Sequence, residues 1–217
     1  AAFLKAAEQI KPTAAGKGRV VHELDYTKSR QPTWDMAVDI QAKMYQAVAK
    51  STPLHMQLVY FRGFGECRAS NWASDAQTLA GQMSRITCQA GRTQISKVLS
   101  HARNTHAKTP ISAVVYIGDA MEENPDTLGH RAGELGMLGV PVFVFQEGHD
   151  RTAEMVFREI ARLTRGGWFR FDLKAPDVLA ELLSSIAVYA TGGLKALAHR
   201  GTKSDKLLIE HLKGKGK

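Results

Sequence analysis

The stretch "ISAVVYIGDA", residues 111–120, is the strongest indication of a fold in this sequence. It is apolar almost throughout, with β-branched residues at its centre, and it leads into Asp119. A run of this kind, in which polar and apolar residues do not alternate, is typical of a strand that is covered on both faces. We therefore predict a strand in the middle of a parallel sheet, with Asp119 at its carboxyl end.

Strands and helices alternate on both sides of this stretch. Further strands are predicted over 19–25, 54–63, 140–148 and 167–172, and the short polar run 65–72 predicts an exposed edge strand. Helical spacing of apolar residues predicts helices over 32–50, 75–86, 93–108, 124–139, 150–166 and 175–190. This order predicts an α/β fold, in which a mainly parallel central sheet has one antiparallel edge strand and carries helices on both faces.

The formal charge of +8 is carried mainly by the two ends of the chain. Residues 1–19 and residues 203–217 each carry a net charge of +3, which leaves +2 for everything between them. We therefore divide the chain into a basic N-terminal extension (1–18), one domain (19–200) and a Lys- and Gly-rich C-terminal tail (201–217). Because the body is nearly neutral, we do not expect a nucleic-acid-binding face on it.

The composition of the tail suggests that it cannot build a core alone. It holds one short apolar patch, which consists of Leu207, Leu208, Ile209 and Leu212. We expect the tail from residue 203 to be dispensable for folding and to act in association through this patch.

Other features of composition concern the environment of the protein. No apolar run approaches the roughly 20 residues of a membrane span. Cys67 and Cys88 form no C-x-x-C pair, and two cysteines make no disulfide framework. We expect two buried thiols, a reducing cytoplasm and no membrane.

Oxygen-bearing side chains gather where predicted strands end or helices begin. Asp25, Thr27 and Ser29 stand at alternate positions after the first strand, Thr93 stands where a loop turns into a helix, and Asp119 follows the central strand. Ligand sites of open α/β sheets form at the carboxyl ends of the strands. Two carboxylates and three hydroxyls are hard oxygen donors, which suit Mg²⁺ or Mn²⁺. The alternative for any one of them is an ordinary helix cap, and only the five together favour a metal site.

The five positions resemble the metal-ion-dependent adhesion site of the von Willebrand factor type A (vWA) family. The family's Asp-x-Ser-x-Ser motif is matched by Asp25-Tyr26-Thr27-Lys28-Ser29, its Thr on the second loop by Thr93, and its Thr-Asp-Gly by Gly118-Asp119-Ala120. The resemblance covers residues 19–190 and implies the family's Rossmann-like fold. The stretches "SRQPTWDMA" and "LVYFRGFGECRAS" look like those of an intracellular bacterial subgroup. The missing glycine after Asp119 is expected to alter the loop and lower its affinity for the ion.

The resemblance implies a Mg²⁺-dependent protein-interaction module, acting as an adaptor or subunit of a larger cytoplasmic assembly, and not an enzyme. In this family the ion binds an Asp or Glu carboxylate of a partner protein, and an AAA+ ATPase is a candidate partner. We expect the rim that the partner meets to consist of Arg30, Arg92, Glu122 and Glu123. For the two glutamates, an acidic helix start is an equally good interpretation.

Two other classes of function stay open at this stage. A metal-dependent phosphohydrolase would use the same cation, although no nucleophile or general base is evident beside it. A ribonucleoprotein or scaffold component would bind nucleic acid through the basic ends, in a strongly salt-dependent way. The eight histidines lack the spacing of metal ligands, and we expect them to be solvated or core residues.

The resemblance also implies a role for Thr93 in binding more than in stability. In the family this hydroxyl contacts the ion chiefly when a partner carboxylate is bound. We expect Thr93 on an exposed loop, where Thr93→Ala should destabilise the fold by less than about 1 kcal/mol.

Overall fold

A computed structural model describes residues 18–25, 44, 46, 53–62, 65–86, 92–171 and 176–214. Its strands are β1 Gly18–Asp25, β2 Leu54–Arg62, β3 Glu66–Ala69, β4 Ala113–Gly118, β5 Val142–Glu147 and β6 Gly167–Phe171. They form one sheet in the order β3-β2-β1-β4-β5-β6. All neighbouring pairs are parallel except β2 and β3, which are antiparallel. The predicted α/β fold, with its antiparallel edge strand within 65–72, is confirmed.

β1 and β4 lie side by side in the middle of the sheet. All six residues of β4 are buried, as the stretch 111–120 predicted. Successive side chains of a strand point to opposite faces, so Val20 and Val21 of β1 belong to two different hydrophobic cores. Because each central strand is covered on both faces, its sequence shows no alternation of polar and apolar residues.

Helices with described bounds pack on both faces of this sheet. They are α1 Ala76–Met83, α2 Ile95–Lys108, α3 Pro125–Met137, α4 Arg151–Thr164, α5 Pro176–Arg200 and α6 Lys203–Leu212. The core that contains Val20 is closed by α1, α5 and α6, and the core that contains Val21 by α2, α3 and α4. Of the predicted helix 32–50, only Met44 and Gln46 are described, and both are helical.

Local capping explains where several of these helices begin. Asn124 accepts the backbone N–H groups of Asp126 and Thr127 at the start of α3, at the first residue of the predicted helix 124–139. At α1, Ser74 and Asp75 are adjacent residues of the capping type, and Asp75 is the observed cap, which accepts the N–H of Thr78 at 2.7 Å. An aspartate caps a helix as well as a serine does, so the two candidates could not be ranked from sequence.

The longest helix, α5, is interrupted near its end. Gly193 has φ 66° and ψ −164°, a conformation outside the helical region that side-chain-bearing residues rarely adopt. Among the described helices, only α5 is long and apolar enough to suit a membrane span, since 18 consecutive residues of it have a mean hydropathy of 1.2. Half of this 18-residue segment is buried within the protein, and α5 packs against β1 and β2. These contacts are those of a core helix.

The segment predicted as a Lys- and Gly-rich tail contains α6, which packs on the domain. Leu208 is fully buried in the same core as Val20. The ring of His211 lies 4.8 Å from that of Phe169 in β6, in an edge-to-face arrangement. Leu208 is therefore part of the domain core, with Ile209 and Leu212 packed against it and Leu207 exposed, which argues against the expectation that this segment is dispensable for folding.

Polar contacts also hold the start of α6. Thr202 and Asp205 form a capping box, in which each side chain accepts the other residue's backbone N–H. Asp205 is fully buried and receives two hydrogen bonds from the Arg200 guanidinium, from Nε at 2.8 Å and from Nη2 at 2.5 Å. Burial opposes the ionisation of Asp205, but the bonds from Arg200 and Thr202 outweigh it and lower its pKa to about 2.

Candidate functional site

Two of the predicted ligand positions lie at neighbouring strand ends. β1 ends at Asp25, and β4 ends at Gly118, one residue before Asp119. The register pairs Leu24 with Ile117, so the main chain of Asp25 lies beside the end of β4. This is the carboxyl edge of the two central strands, where ligand sites of α/β sheets form.

Part of the predicted site lies outside the described residues. This applies to Thr27, Ser29 and Arg30, and to the side chain of Asp25. Their roles as metal ligands or as part of the rim stay predictions. Thr93, Arg92, Asp119, Glu122 and Glu123 are described, and hydrogen bonds join Thr93 to Glu122 and Glu123 to the start of α2.

Thr93 is joined to the loop that carries Asp119. Its hydroxyl oxygen accepts the backbone N–H of Glu122 at 3.2 Å, and its own backbone N–H donates to Glu122 Oε2, also at 3.2 Å. Thr93 is only 6% exposed, so the expectation of an exposed loop was wrong. Its hydroxyl has a structural partner, and Thr93→Ala would leave the N–H of Glu122 without its acceptor.

Glu123 holds the start of α2 from the same loop. Its carboxylate accepts the backbone N–H groups of Ile95 and Ser96, and the Ser96 hydroxyl donates to it at 2.5 Å. Gln94, the residue at the N-cap position, makes no side-chain cap of its own. The Glu123 oxygens bind this helix start, where unpaired N–H groups and the helix dipole favour a carboxylate. The predicted place of Glu123 on the rim stays a prediction.

The sequence had no direct signal for this cap. Glu123 lies beyond the whole of α2 and β4, so no capping motif within a few residues could reveal it. The available hint was the pair of acidic residues next to Asp119, for which the sequence left two interpretations open, the rim and an acidic helix start. Arg92 and Glu122 remain candidates for the rim, since both are exposed.

The donors around Thr93 and Asp119 fit a hard cation. A hydroxyl oxygen has two lone pairs, and the N–H of Glu122 uses one of those on Thr93. The other can face an ion. Within the described part of the chain, no group of three or more His, Cys, Asp or Glu side chains could hold a metal. The hydroxyl ligands of the sequence motif stay a prediction, since Thr27, Ser29 and the Asp25 side chain lie outside the described residues.

A close contact accounts for the glycine before Asp119. A Cβ at position 118 would lie 2.6 Å from the hydroxyl of Tyr116 and 2.7 Å from its ring. The phenol of Tyr116 occupies the space that the family's Thr side chain would need. The Tyr116 side chain thus leaves no room for a side chain at position 118.

Burial shifts the pKa of two other reactive side chains in the described part of the chain, Cys67 and His22. Cys67 is a free thiol, and burial raises its pKa to about 11 with a contribution from the Glu23 carboxylate, so it stays protonated at neutral pH. Cys88 lies outside the described residues. His22 is buried, and burial lowers its pKa to about 3, which agrees with the expectation of a core histidine.

Comparison with solved structures identifies the fold. A von Willebrand factor type A protein from Catenulispora acidiphila matches with a TM-score of 0.63 and 18% identity, over 81% of this chain and 44% of that one. Proximal thread matrix protein 1 from the mussel byssus, solved with zinc in its MIDAS motif, matches with a TM-score of 0.62 and 13% identity, over 81% and 46% of the two chains.

An aerotolerance-related membrane protein from Bacteroides fragilis matches with a TM-score of 0.61 and 17% identity, over 78% of this chain and 98% of that one. The chain thus spans less than half of the first two structures and nearly all of the third. No family model matches the sequence, and no curated protein matches it significantly. The chain has the fold of a von Willebrand factor type A domain.

Proposed function

We propose that the carboxyl edge of β1 and β4 binds Mg²⁺ or Mn²⁺ and that the ion receives a carboxylate from a partner protein. The proposed ligands are Asp25, Thr27, Ser29, Thr93 and Asp119. The observation that carries this proposal is the pair of hydrogen bonds between Thr93 and Glu122, because they hold the Thr93 loop against the Asp119 loop.

The donor chemistry favours binding of an acidic group. Neutral hydroxyl ligands such as Thr93 do not cancel the charge of the ion, so the ion keeps an affinity for a further carboxylate. A site of this kind needs no turnover. We therefore propose a binding role and not an enzymatic one.

The partner that we propose is a protein that offers an exposed Asp or Glu side chain. Sequence resemblance to intracellular bacterial vWA proteins makes an AAA+ ATPase the first candidate to test. A cytoplasmic adaptor, or a subunit of a larger assembly, is the corresponding biological role.

Calorimetry with Mg²⁺ and Mn²⁺ tests the ion site directly. Wild type should bind one ion, and Asp119→Ala should lose this binding because it removes a carboxylate ligand. Asp126→Ala is the matched control, since Asp126 is an exposed acid in the first turn of α3 and is not a proposed ligand. Equal ion affinity in wild type and Asp119→Ala would overturn the proposal.

A phosphatase assay with p-nitrophenyl phosphate separates binding from catalysis. The proposal expects no turnover above background with Mg²⁺ or Mn²⁺ present. Turnover that disappears in Asp119→Ala would instead favour the hydrolase.

A further inference from the structure

The residue that follows Thr93 has a buried polar side chain. Gln94 occupies the N-cap position of α2 and is only 7% exposed. Its side chain makes no hydrogen bond that caps α2. Because buried polar groups almost always have hydrogen-bond partners, the partners of this amide show which other part of the fold it contacts.

The Gln94 amide is bonded at both of its ends. Its Nε2 donates to the carbonyl oxygen of Glu66 at 3.3 Å, and its Oε1 accepts from Lys97 Nζ at 2.8 Å. An ammonium group can only donate, so Lys97 fixes which end of the amide is the oxygen. The nitrogen end then meets a carbonyl oxygen, which can only accept. Gln94 therefore connects the start of α2 to Glu66, the first residue of β3.

Lys97 makes a second connection to the same place. Its Nζ also donates to the carbonyl oxygen of Gly65 at 2.8 Å. Gly65 directly precedes β3. The side chains of Gln94 and Lys97 and the backbone of Gly65 and Glu66 thus form one chain of hydrogen bonds, which ties the first turn of α2 to the start of β3.

The same turn of α2 is held from a second direction by the loop after β4. Glu122 is bonded to both the N–H and the hydroxyl of Thr93, and the Glu123 carboxylate accepts the backbone N–H groups of Ile95 and Ser96. Gln94 lies between these residues in the chain. A shift of the Thr93 backbone would therefore break hydrogen bonds to one loop or to the other.

A second glutamine makes a similar connection further along α2. Gln57 of β2 donates from Nε2 to the carbonyl oxygen of Ser70 at 2.9 Å, and its Oε1 lies 2.9 Å from His101 Nε2. Along the helix, His101 is about 10 Å beyond Gln94. Gln57 thus fixes α2 to the stretch that follows β3, but at a point distant from Thr93.

We propose that Gln94 is a positioning residue of the ion site, which holds the backbone of Thr93 in place by tying the start of α2 to the start of β3. This inference rests on the proposed function, because Thr93 can affect an ion only if the ion binds beside it. It adds a requirement to that function: the affinity for the ion depends on a contact with residues 65 and 66, which are not among the proposed ligands.

The charge of Lys97 makes the direction of one effect decisive. A positive charge near a bound cation weakens binding, so loss of the Lys97 ammonium group should by itself raise the affinity for Mg²⁺. If Lys97 instead helps to hold Gln94, its loss should lower that affinity. Lys97→Met keeps an unbranched side chain at this exposed position and removes both the charge and the two hydrogen bonds.

Calorimetry with Mg²⁺ tests the inference on the full chain. Gln94→Ala should weaken ion binding about fivefold, less than the roughly 10- to 100-fold typical of groups that bond a metal ligand directly. Lys97→Met should weaken it about threefold, and it provides the second test if Gln94→Ala folds poorly. Gln57→Ala is the matched control and should change the affinity by less than about twofold, because its contacts are distant from Thr93.

A double variant tests whether Gln94 acts through Thr93. Once the Thr93 hydroxyl is removed, its position no longer matters to the ion. Thr93→Ala with Gln94→Ala should therefore bind Mg²⁺ within about twofold of Thr93→Ala alone. A double variant that binds about fivefold more weakly than Thr93→Ala would show independent effects and would overturn the inference.

The outcomes distinguish this inference from the proposed function. If wild type binds Mg²⁺ and Gln94→Ala binds it equally well, the inference is overturned and the ion site stands, even if Gln94→Ala is less stable in denaturant. Tighter binding by Lys97→Met would also overturn it, because charge alone would then explain the effect of Lys97. If wild type binds no ion, the proposed function is overturned, and the role of Gln94 with it.

Discussion

The helices α2 and α6 both begin at a carboxylate, but the two carboxylates come from different distances along the chain. At α6, Thr202 and Asp205 supply the whole capping box within four residues. At α2, the carboxylate belongs to Glu123, which is 27 residues away from Ser96. The start of α6 is capped by its own residues, and the start of α2 is capped by a residue of the loop that carries Asp119.

Substitutions at the two helix starts should therefore have different effects on stability and ion binding. A local capping box stabilises its helix independently of distant loops. A carboxylate from another loop can act only when that loop lies against the helix. We therefore expect substitutions at α6 to change stability and leave ion binding unchanged, whereas substitutions around the start of α2 should change both.

The largest effect is expected from Leu208→Ala. Leu208 is fully buried in the core, and the substitution should lower the free energy of unfolding by about 3 kcal/mol. Leu207→Ala in the same helix is the control, because Leu207 is 39% exposed and should lose less than about 1 kcal/mol. Denaturant unfolding measures both, and calorimetry should show unchanged Mg²⁺ affinity. A chain ending at residue 202 that kept its melting temperature would contradict the docking of α6.

Asp205→Ala should have the next largest effect. It removes the capping box and the partner of Arg200, and we expect a loss of about 2 kcal/mol in the free energy of unfolding. The value is below that of a fully buried ion pair because the Arg200 side chain is 28% exposed. If Asp205→Ala also lowered ion affinity, the proposed independence of the two helix starts would be wrong.

The ion pair between Asp205 and Arg200 predicts that stability depends on pH. The pKa of Asp205 is about 2 in the fold, below its usual value of 3.8, so its contribution is complete above pH 3.8 and is lost as the pH falls through about 2. The stability difference between wild type and Asp205→Asn should shrink over this range. A difference that stays constant from pH 6 to pH 2 would exclude the ionised pair as its cause.

Thr93→Ala tests the other helix start. It removes the acceptor of the Glu122 N–H, and we expect a loss of about 1 to 2 kcal/mol together with weaker Mg²⁺ binding. Thr93→Ser keeps the hydroxyl and should keep most of both properties. Loss of stability with unchanged ion affinity would make Thr93 a structural residue only.

Glu123→Gln should have the smallest effect of the series. The amide keeps one oxygen acceptor but lacks the charge that favours the helix start, so we expect a loss of about 1 kcal/mol and a modest fall in ion affinity. Glu210→Gln on exposed α6 is the control, with less than about 0.5 kcal/mol expected. If both variants unfold at the same denaturant concentration, the distant cap contributes nothing measurable.

Much of the fold was predictable because its signals are local. The apolar run 111–120 indicated a strand covered on both faces, and the short polar run 65–72 indicated the antiparallel edge. Asn124 marked the start of α3 through a contact with its next residues. Patterns of this kind follow from the periodicity of strands and from capping, and both act within a few residues.

Other features depended on which distant residues meet. The sequence from residue 201 onward has the composition of a tail, and only the packing of Leu208 into the core makes it part of the domain. The sequence marked Thr93 and Asp119 as candidate ligands, but the buried position of Thr93 and its bonds to Glu122 arise from two loops coming together. Local pattern therefore determined the class of fold and marked the candidate ligands. Tertiary contact decided that Glu123 caps α2, because a cap 27 residues away exists only once the sheet has brought the two loops together.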